Sequence, residues 1–285
     1  MDPIFDRVVI VGAGLLGASL GLALQASGAS RRVIGVGRRQ SSLDKALAAG
    51  AVHETSLDLA QAVSDADLIV IATPASTVIS TLDIVREACS AQAIVVDVAS
   101  TKATICAHAA AHWDRPRRFI GCHPMAGSEK SGPEHATASL YENTVCLIED
   151  SPDLDPGAAA QVRQLWERVG ARVVAVDAES HDRILACTSH VPHILASTLA
   201  LLAAHQNATC DFVGNGFRDM TRVAAGSPEM WRDITLTNRE AITDGLEAMK
   251  ELIDTFLVAM EAKDDQALST LFEAGQISRE KVLAE

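Results

Sequence analysis

Apolar residues fall in short, nearly continuous runs through the first 176 positions, and segments of helical periodicity lie between them. The run Arg7-Val8-Val9-Ile10-Val11 is almost wholly β-branched, as a strand buried on both faces requires. Comparable runs recur at 32–36, 68–72, 93–98, 119–122, 145–148 and 172–176. Residues 18–27, 78–89 and 158–169 read as helices, and the Pro- and Gly-rich stretch 151–157 reads as a turn. Strands and helices alternating in this way predict an α/β domain with a parallel sheet. After Asp177 no strand-like run of similar quality appears, and from Ser180 onward Leu, Ile, Met and Phe recur at helical spacing. The pattern therefore predicts two domains, 1–177 and 178–285, the second all-helical. No internal repeat or low-complexity tract is visible.

The first strand runs straight into Gly12-Ala13-Gly14-Leu15-Leu16-Gly17, and a helix and a second strand follow at the spacing of a dinucleotide-binding βαβ unit. Gly12 allows the tight turn, Gly14 lets the backbone approach a pyrophosphate, and Gly17 lets helix and strand pack closely. The helix N-terminus presents free N–H groups to the phosphates, and Leu15 and Leu16 lie in the turn before it. This context makes the first domain a Rossmann-type fold. An acid at the end of the second strand would bind the ribose 2′-hydroxyl of NAD. The chain has Gly37-Arg38-Arg39-Gln40-Ser41-Ser42 there instead. Arg38, Arg39 and Ser41 suit a 2′-phosphate, which favours NADP; an arginine stacked on adenine serves NAD as well.

Composition narrows the function. A net charge of −13 argues against nucleic acid, and it requires a local basic cluster to catch any anionic substrate. Six scattered cysteines without a CxxC pair read as free thiols in a reducing compartment. The acidic N-terminus does not resemble a signal peptide, and the longest apolar run, 194–204, is about half of what spans a bilayer. The expectation is a cytoplasmic protein that contacts neither membrane nor nucleic acid.

Ligands in open parallel sheets lie beyond the carboxyl ends of the strands. That rule gathers Thr73, Pro74, Ser100, Lys102 and His123 beside the glycine turn. Ser100 and His123 are the candidates for chemistry. His123 opens His123-Pro124-Met125-Ala126-Gly127, a strand end feeding a tight loop that can hold an imidazole in one orientation. Ser100 equally suits an N-cap for a helix starting near Thr101, and His123 equally suits a structural tie to backbone carbonyls. In the helical half, Ser189-His190-Val191-Pro192-His193 sets two imidazoles on one helix face. Without Cys or carboxylate partners at ligand spacing this pair is a poor metal site, and no metal is expected. Arg218, Arg222 and Trp231 in 217–234 suggest a carboxylate site with an aromatic wall; an exposed amphipathic segment is the alternative.

Taken in order, the glycine fingerprint, Asp97-Val98-Ala99-Ser100-Thr101-Lys102, His123-Pro124-Met125-Ala126-Gly127, Ser189-His190-Val191-Pro192-His193 and the segment from Phe217 to Ile234 resemble the prephenate/arogenate dehydrogenase family of tyrosine biosynthesis. The resemblance implies oxidative decarboxylation of a cyclohexadienol, with hydride passing from C4 to NADP or NAD as C1 expels CO2. It assigns His123 as acceptor and base at the C4 hydroxyl, and Ser100 as the group orienting His123 or that hydroxyl. It places Arg222 on a substrate carboxylate, lines the pocket with His190 and His193, and puts Trp231 at its substrate end. It assigns the cofactor to the glycine turn, Arg38, Arg39, Ser41, Thr73, Pro74 and Ser100. It implies a homodimer formed through the helical domain, which agrees with the nearly all-apolar run 194–204 needing a partner to cover it. Two alternatives stand beside it: another Rossmann-plus-helical reductase, of β-hydroxyacid or imine type, and a nucleotide-sensing module that would not need His123.

Overall fold

Each apolar run of the first half becomes a strand in the computed structural model, which describes residues 2–127, 130, 132–206 and 208–284. Ser128, Glu129 and Ser131 of the loop after His123 lie outside the described residues. In chain order the elements are β1 (Phe5–Val11), α1 (Leu15–Ala26), β2 (Ser30–Val36), α2 (Gln40–Ala48), β3 (Glu54–Ser56), α3 (Leu59–Val63), β4 (Leu68–Ile71), α4 (Ala75–Ala88), β5 (Ile94–Asp97), α5 (Ala103–His112) and β6 (Phe119–Pro124). Then come β7 (Val145–Glu149), α6 (Pro156–Arg168), β8 (Arg172–Val176), α7 (Ala178–Leu185), α8 (Val191–His205), α9 (Asn215–Thr221), α10 (Pro228–Thr237), α11 (Arg239–Ala262) and α12 (Asp265–Leu283).

The strands form one eight-stranded sheet in the order β3-β2-β1-β4-β5-β6-β7-β8. Pairing is parallel except between β6 and β7, where His123 faces Leu147 in an antiparallel register. Successive strand residues point to opposite faces, and both faces are covered. Val8, Ile10, Val33, Leu68, Val70 and Val96 pack on one side with Leu20, Leu24 and Trp166. Val9, Val11, Ile34, Ile69, Ile71 and Val95 pack on the other with Val78, Leu82, Val85 and Ile105. The start of β6 is anchored by the buried Arg117. Its guanidinium donates to Glu149 Oε1 at 2.6 Å and Asp153 Oδ1 at 2.9 Å, and Glu149 Oε2 accepts the Gly121 N–H at 3.1 Å. Charge-assisted bonds at the root of β6 thus hold the strand that carries His123.

Three features differ from the sequence pattern. The edge strand β3 is Glu54-Thr55-Ser56, with no apolar residue to announce it. Helix α1 begins at Leu15, inside the glycine fingerprint, because Gly17 packs against the turn; a Cβ there would lie 2.2 Å from Gly12 O. The Ser189-to-His193 stretch is not uniform α-helix, since a π turn spans Ala186–His190 between α7 and α8. Pro192 offers no N–H and its ring crowds the carbonyl one turn back, which a wider turn relieves.

Strands end at Val176, yet the first compact unit extends through α10 to Arg239 and the second comprises 240–285. Helices α7 to α10 stay with the first unit, and side chains of α10 bond to loops and helices at the sheet's carboxyl edge. Thr101 Oγ1 meets Thr237 Oγ1 at 3.0 Å, and Ser76 Oγ donates to Asp233 Oδ2 at 2.5 Å. The continuous helical segment from Ala178 to His205 is long and apolar enough, by length and composition alone, to cross a membrane. It exceeds the run visible in sequence because it joins both helices across the π turn. Its His181, Asp182 and His190 are buried and hydrogen-bonded within the site described below, as in a core helix. On α8 Leu201 and Leu202 are more than half exposed in this single chain. Within the second unit the rings of Phe256 and Phe272 tilt together with centroids 5.3 Å apart.

Candidate active site

The glycine turn has the shape that a dinucleotide needs. Gly12 has φ +98°, and a Cβ there would meet Ala72 O at 2.6 Å, so only glycine fits. Beside Gly14, by contrast, no atom lies within 4 Å of a built Cβ, which leaves open space at the helix N-terminus. Helix α1 has no acid in its first turn and no side-chain cap, so its N–H groups are not claimed by the chain's own carboxylates. Thr73, at the end of β4, has a buried Oγ1 without a hydrogen-bond partner among the described residues. Arg38 and Arg39 are exposed after β2, and no ion-pair partner for either appears among the described residues. Open space, an orphaned hydroxyl and unpaired guanidiniums at one strand edge fit a nicotinamide dinucleotide.

Asp97 organises the ends of β5 and β6. Its carboxylate accepts the Ala99 N–H at 3.0 Å and the Cys122 N–H at 3.4 Å, and it pairs with the buried Lys102. The two backbone N–H groups belong to the residues just before Ser100 and His123, so one carboxylate fixes both approaches. Ser100 is half-buried and is not the N-cap of α5. That task falls to Asp182 of α7, whose oxygens accept Lys102 N at 2.8 Å and Ala103 N at 2.9 Å. The end of β6 borders an open cavity of about 420 Å³ whose lining includes His123, Met125, Leu140 and Thr144.

From His123 a chain of polar contacts runs into the helical half. His123 Nδ1 meets His181 Nε2 at 2.9 Å, and His181 Nδ1 meets Asp182 Oδ1 at 2.7 Å. The group at His123 Nδ1 is therefore His181, and no bond between Ser100 and His123 appears among the described residues. The Asn238 amide donates to Asp182 O at 2.8 Å and lies 3.1 Å from His190 Nδ1. That nitrogen accepts, which places the His190 proton on Nε2. Both histidines of the helix-face pair reach Trp231: His190 edge-on at 6.2 Å between centroids, His193 stacked at 3.5 Å and 15°. Gly226 lets the chain pass this stack, since a Cβ there would lie 2.6 Å from Trp231 Nε1. His193 Nδ1 is buried without a partner among the described residues.

Burial holds the His123 pKa well below the ordinary histidine value, with His181, Lys102 and His190 acting in the same direction. Burial also lowers His190, to about 4 against the opposing Asp182, and lowers His193. The site therefore presents neutral imidazoles, able to accept protons. Arg222 opens the short turn Arg222–Ala225 packed beside α8; it is exposed, without a carboxylate partner among the described residues. Thus the structure joins His123, His190, His193 and Trp231 in one network and leaves Arg38, Arg39, Ser41 and Arg222 solvent-facing. Sequence reasoning missed His181, Asp182, Asn238 and Gly226. Only His181-Asp182 carried a signal, an imidazole and a carboxylate side by side in the first turns of α7.

Two family models match end to end: the prephenate dehydrogenase nucleotide-binding domain over residues 20–175 and the prephenate dehydrogenase dimerization domain over 177–274. The prephenate dehydrogenase of Bacillus subtilis is 30% identical over 98% of this chain and 77% of its own length. The chain belongs to the prephenate dehydrogenase family. Among solved structures, a prephenate dehydrogenase of Aquifex aeolicus in complex with hydroxyphenyl propionate and NAD+ superposes with a TM-score of 0.87. It is 28% identical, over 97% of this chain and 98% of that one. A Synechocystis arogenate dehydrogenase superposes with a TM-score of 0.84, at 29% identity over 97% of this chain and 100% of that one. As a family member the chain is a nicotinamide-dependent dehydrogenase, and the relatives do not favour the alternative reductase reading.

Proposed function

We propose that this chain oxidatively decarboxylates prephenate, arogenate or both, reducing NADP in preference to NAD and yielding 4-hydroxyphenylpyruvate or tyrosine. The observation that carries this reading is the buried, neutral His123 at the carboxyl end of β6, joined to the histidines and tryptophan of the helical half. When bound, the nicotinamide supplies the hydride acceptor. His123 takes the proton of the C4 hydroxyl, the usual task of a base whose pKa lies at or below working pH. Ser100 hydrogen-bonds the same hydroxyl and borders the nicotinamide. Arg222 holds a substrate carboxylate by paired N–H donors. His193, stacked on Trp231, forms a rigid wall whose unpartnered Nδ1 is free to meet a polar substrate atom. His190 meets the indole edge-on.

The glycine turn, with Leu15 and Leu16, receives the pyrophosphate; Thr73 and Pro74 border the cofactor at the end of β4. Arg38, Arg39 and Ser41 receive the 2′-phosphate, which favours NADP. Initial rates of nicotinamide reduction with prephenate and with arogenate, each with NAD and NADP, test the assignment. Turnover of neither substrate would remove it. The reading extends to a cytoplasmic homodimer formed through the helical segment, with the substrate and cofactor sites divided near residue 177. Exposed Leu201 and Leu202 on α8, Leu252 and Leu257 on α11, and Phe272 and Ile277 on α12 support it, since apolar surface of this kind calls for a partner. Light scattering reads the mass directly; an active species of one-chain mass contradicts the dimer.

A further inference from the structure

The strongest unassigned feature is the pair His181-Asp182, which lies behind His123. Asp182 is saturated with donors. Its Oδ1 accepts Lys102 N and its Oδ2 accepts Ala103 N, the first free N–H groups of α5, where the helix dipole favours a carboxylate. The remaining contact of Oδ1, His181 Nδ1 at 2.7 Å, is then also a donor, so His181 carries a proton on Nδ1. The charged and titratable groups facing His123 are His181, Lys102 and His190, with Asp97 on Lys102 and Asp182 on His181. With the ring proton of His181 held on Nδ1 by Asp182, its Nε2 is left as the acceptor nitrogen. The 2.9 Å contact between that nitrogen and His123 Nδ1 requires the proton to sit on His123. The nitrogen left with a lone pair is His123 Nε2, to which nothing bonds among the described residues.

We propose that His181, held by Asp182, is a positioning residue that fixes His123 as its Nδ1–H tautomer and so makes Nε2 the atom that receives the substrate proton. The proposal rests on the dehydrogenase reading above. Its logic is that of any imidazole base whose far nitrogen is pinned by a hydrogen-bond chain: orientation and tautomer are set before substrate arrives. As Nε2 takes the proton, the Nδ1–H bond to His181 strengthens, and the Asp182 carboxylate stands one ring further away to balance the charge.

Two variants separate this role from simple packing. His181→Leu fills the space without an acceptor, whereas His181→Gln places an acceptor oxygen at about the reach of imidazole Nε2. The expected result is that kcat falls about 10- to 100-fold in the leucine variant while KM and cofactor affinity change little, and that glutamine recovers most of the loss. If His181 only fills space, leucine serves as well as glutamine; equal rates, or leucine above glutamine, overturn the proposal. The second measurement needs no turnover. In ¹⁵N-histidine-labelled wild-type protein, with the signal assigned by its loss in His123→Asn, the His123 shifts should report a protonated Nδ1 and a bare Nε2. A protonated Nε2 overturns the proposal even if His123 remains essential. Should the wild-type protein turn over neither prephenate nor arogenate, the functional reading falls, and the tautomer still decides the positioning claim.

Discussion

Gly226 gives the sharpest test of the substrate wall. Its backbone, φ −65° and ψ 162°, is open to any residue, so Gly226→Ala adds no backbone strain. The added Cβ would sit 2.6 Å from Trp231 Nε1, 3.1 Å from Trp231 Cδ1 and 3.2 Å from His193 Cε1. Unstrained contacts lie near 3.5–4 Å, so the indole must retreat by roughly 1 Å. The His193 ring, stacked on it at 3.5 Å, must follow. A displacement of that size in substrate-positioning groups costs on the order of 100-fold in rate, and overpacking costs about 1–3 kcal/mol of stability. Initial rates should show kcat/KM reduced by about two orders of magnitude, and a thermal melt should show a lowered Tm. Trp231→Phe removes the pyrrole edge that the methyl strikes. In that background Gly226→Ala should cost far less, a coupling of about 1–2 kcal/mol. A single variant within about threefold of wild type in kcat/KM, or an equal cost in both backgrounds, refutes the reasoning.

Arg222→Ala should raise KM for the anionic substrate while leaving cofactor affinity nearly unchanged, since an exposed guanidinium of this kind binds substrate in ground and transition states alike; a cofactor defect instead would move Arg222 to the other ligand. Arg38→Ala should weaken NADP by roughly 1–3 kcal/mol and barely affect NAD in a fluorescence titration, and equal losses would mean adenine stacking. Burial keeps His123 neutral below the ordinary histidine range, so the acid limb of kcat/KM should lie well below pH ~6.5, and a half-maximum at that value contradicts it. The same depressed values give a stability contribution complete above the unfolded value of ~6.5. Denaturant titrations should show it lost as pH falls toward the folded value, about 4 for His190.

The sheet was legible because buried parallel strands are continuous β-branched runs and glycine spacing reports backbone mechanics. Gly12 and Gly17 sit where a Cβ would collide with the chain, and Gly14 where it would meet open space. The edge strand β3 was not legible, because three polar residues pairing with one neighbour need no apolar signature. His123, His190, His193 and Trp231 stood out by motif, but their connection did not. It runs through Asp182 and Asn238, 56 residues apart in sequence, and no local pattern ties them together. The boundary read at 177 marks the last strand, whereas compactness continues to 239, because Thr101–Thr237 and Ser76–Asp233 contacts are long-range and invisible in any window.

The central claim is that His123 is the base of a nicotinamide-dependent decarboxylating dehydrogenase. His123→Asn, assayed by nicotinamide reduction with prephenate and with arogenate under saturating cofactor, tests it most directly. The account predicts a folded variant with cofactor affinity intact and kcat lowered on the order of 10²–10⁴-fold. A kcat within a few-fold of wild type, with the same substrate and cofactor, would contradict it.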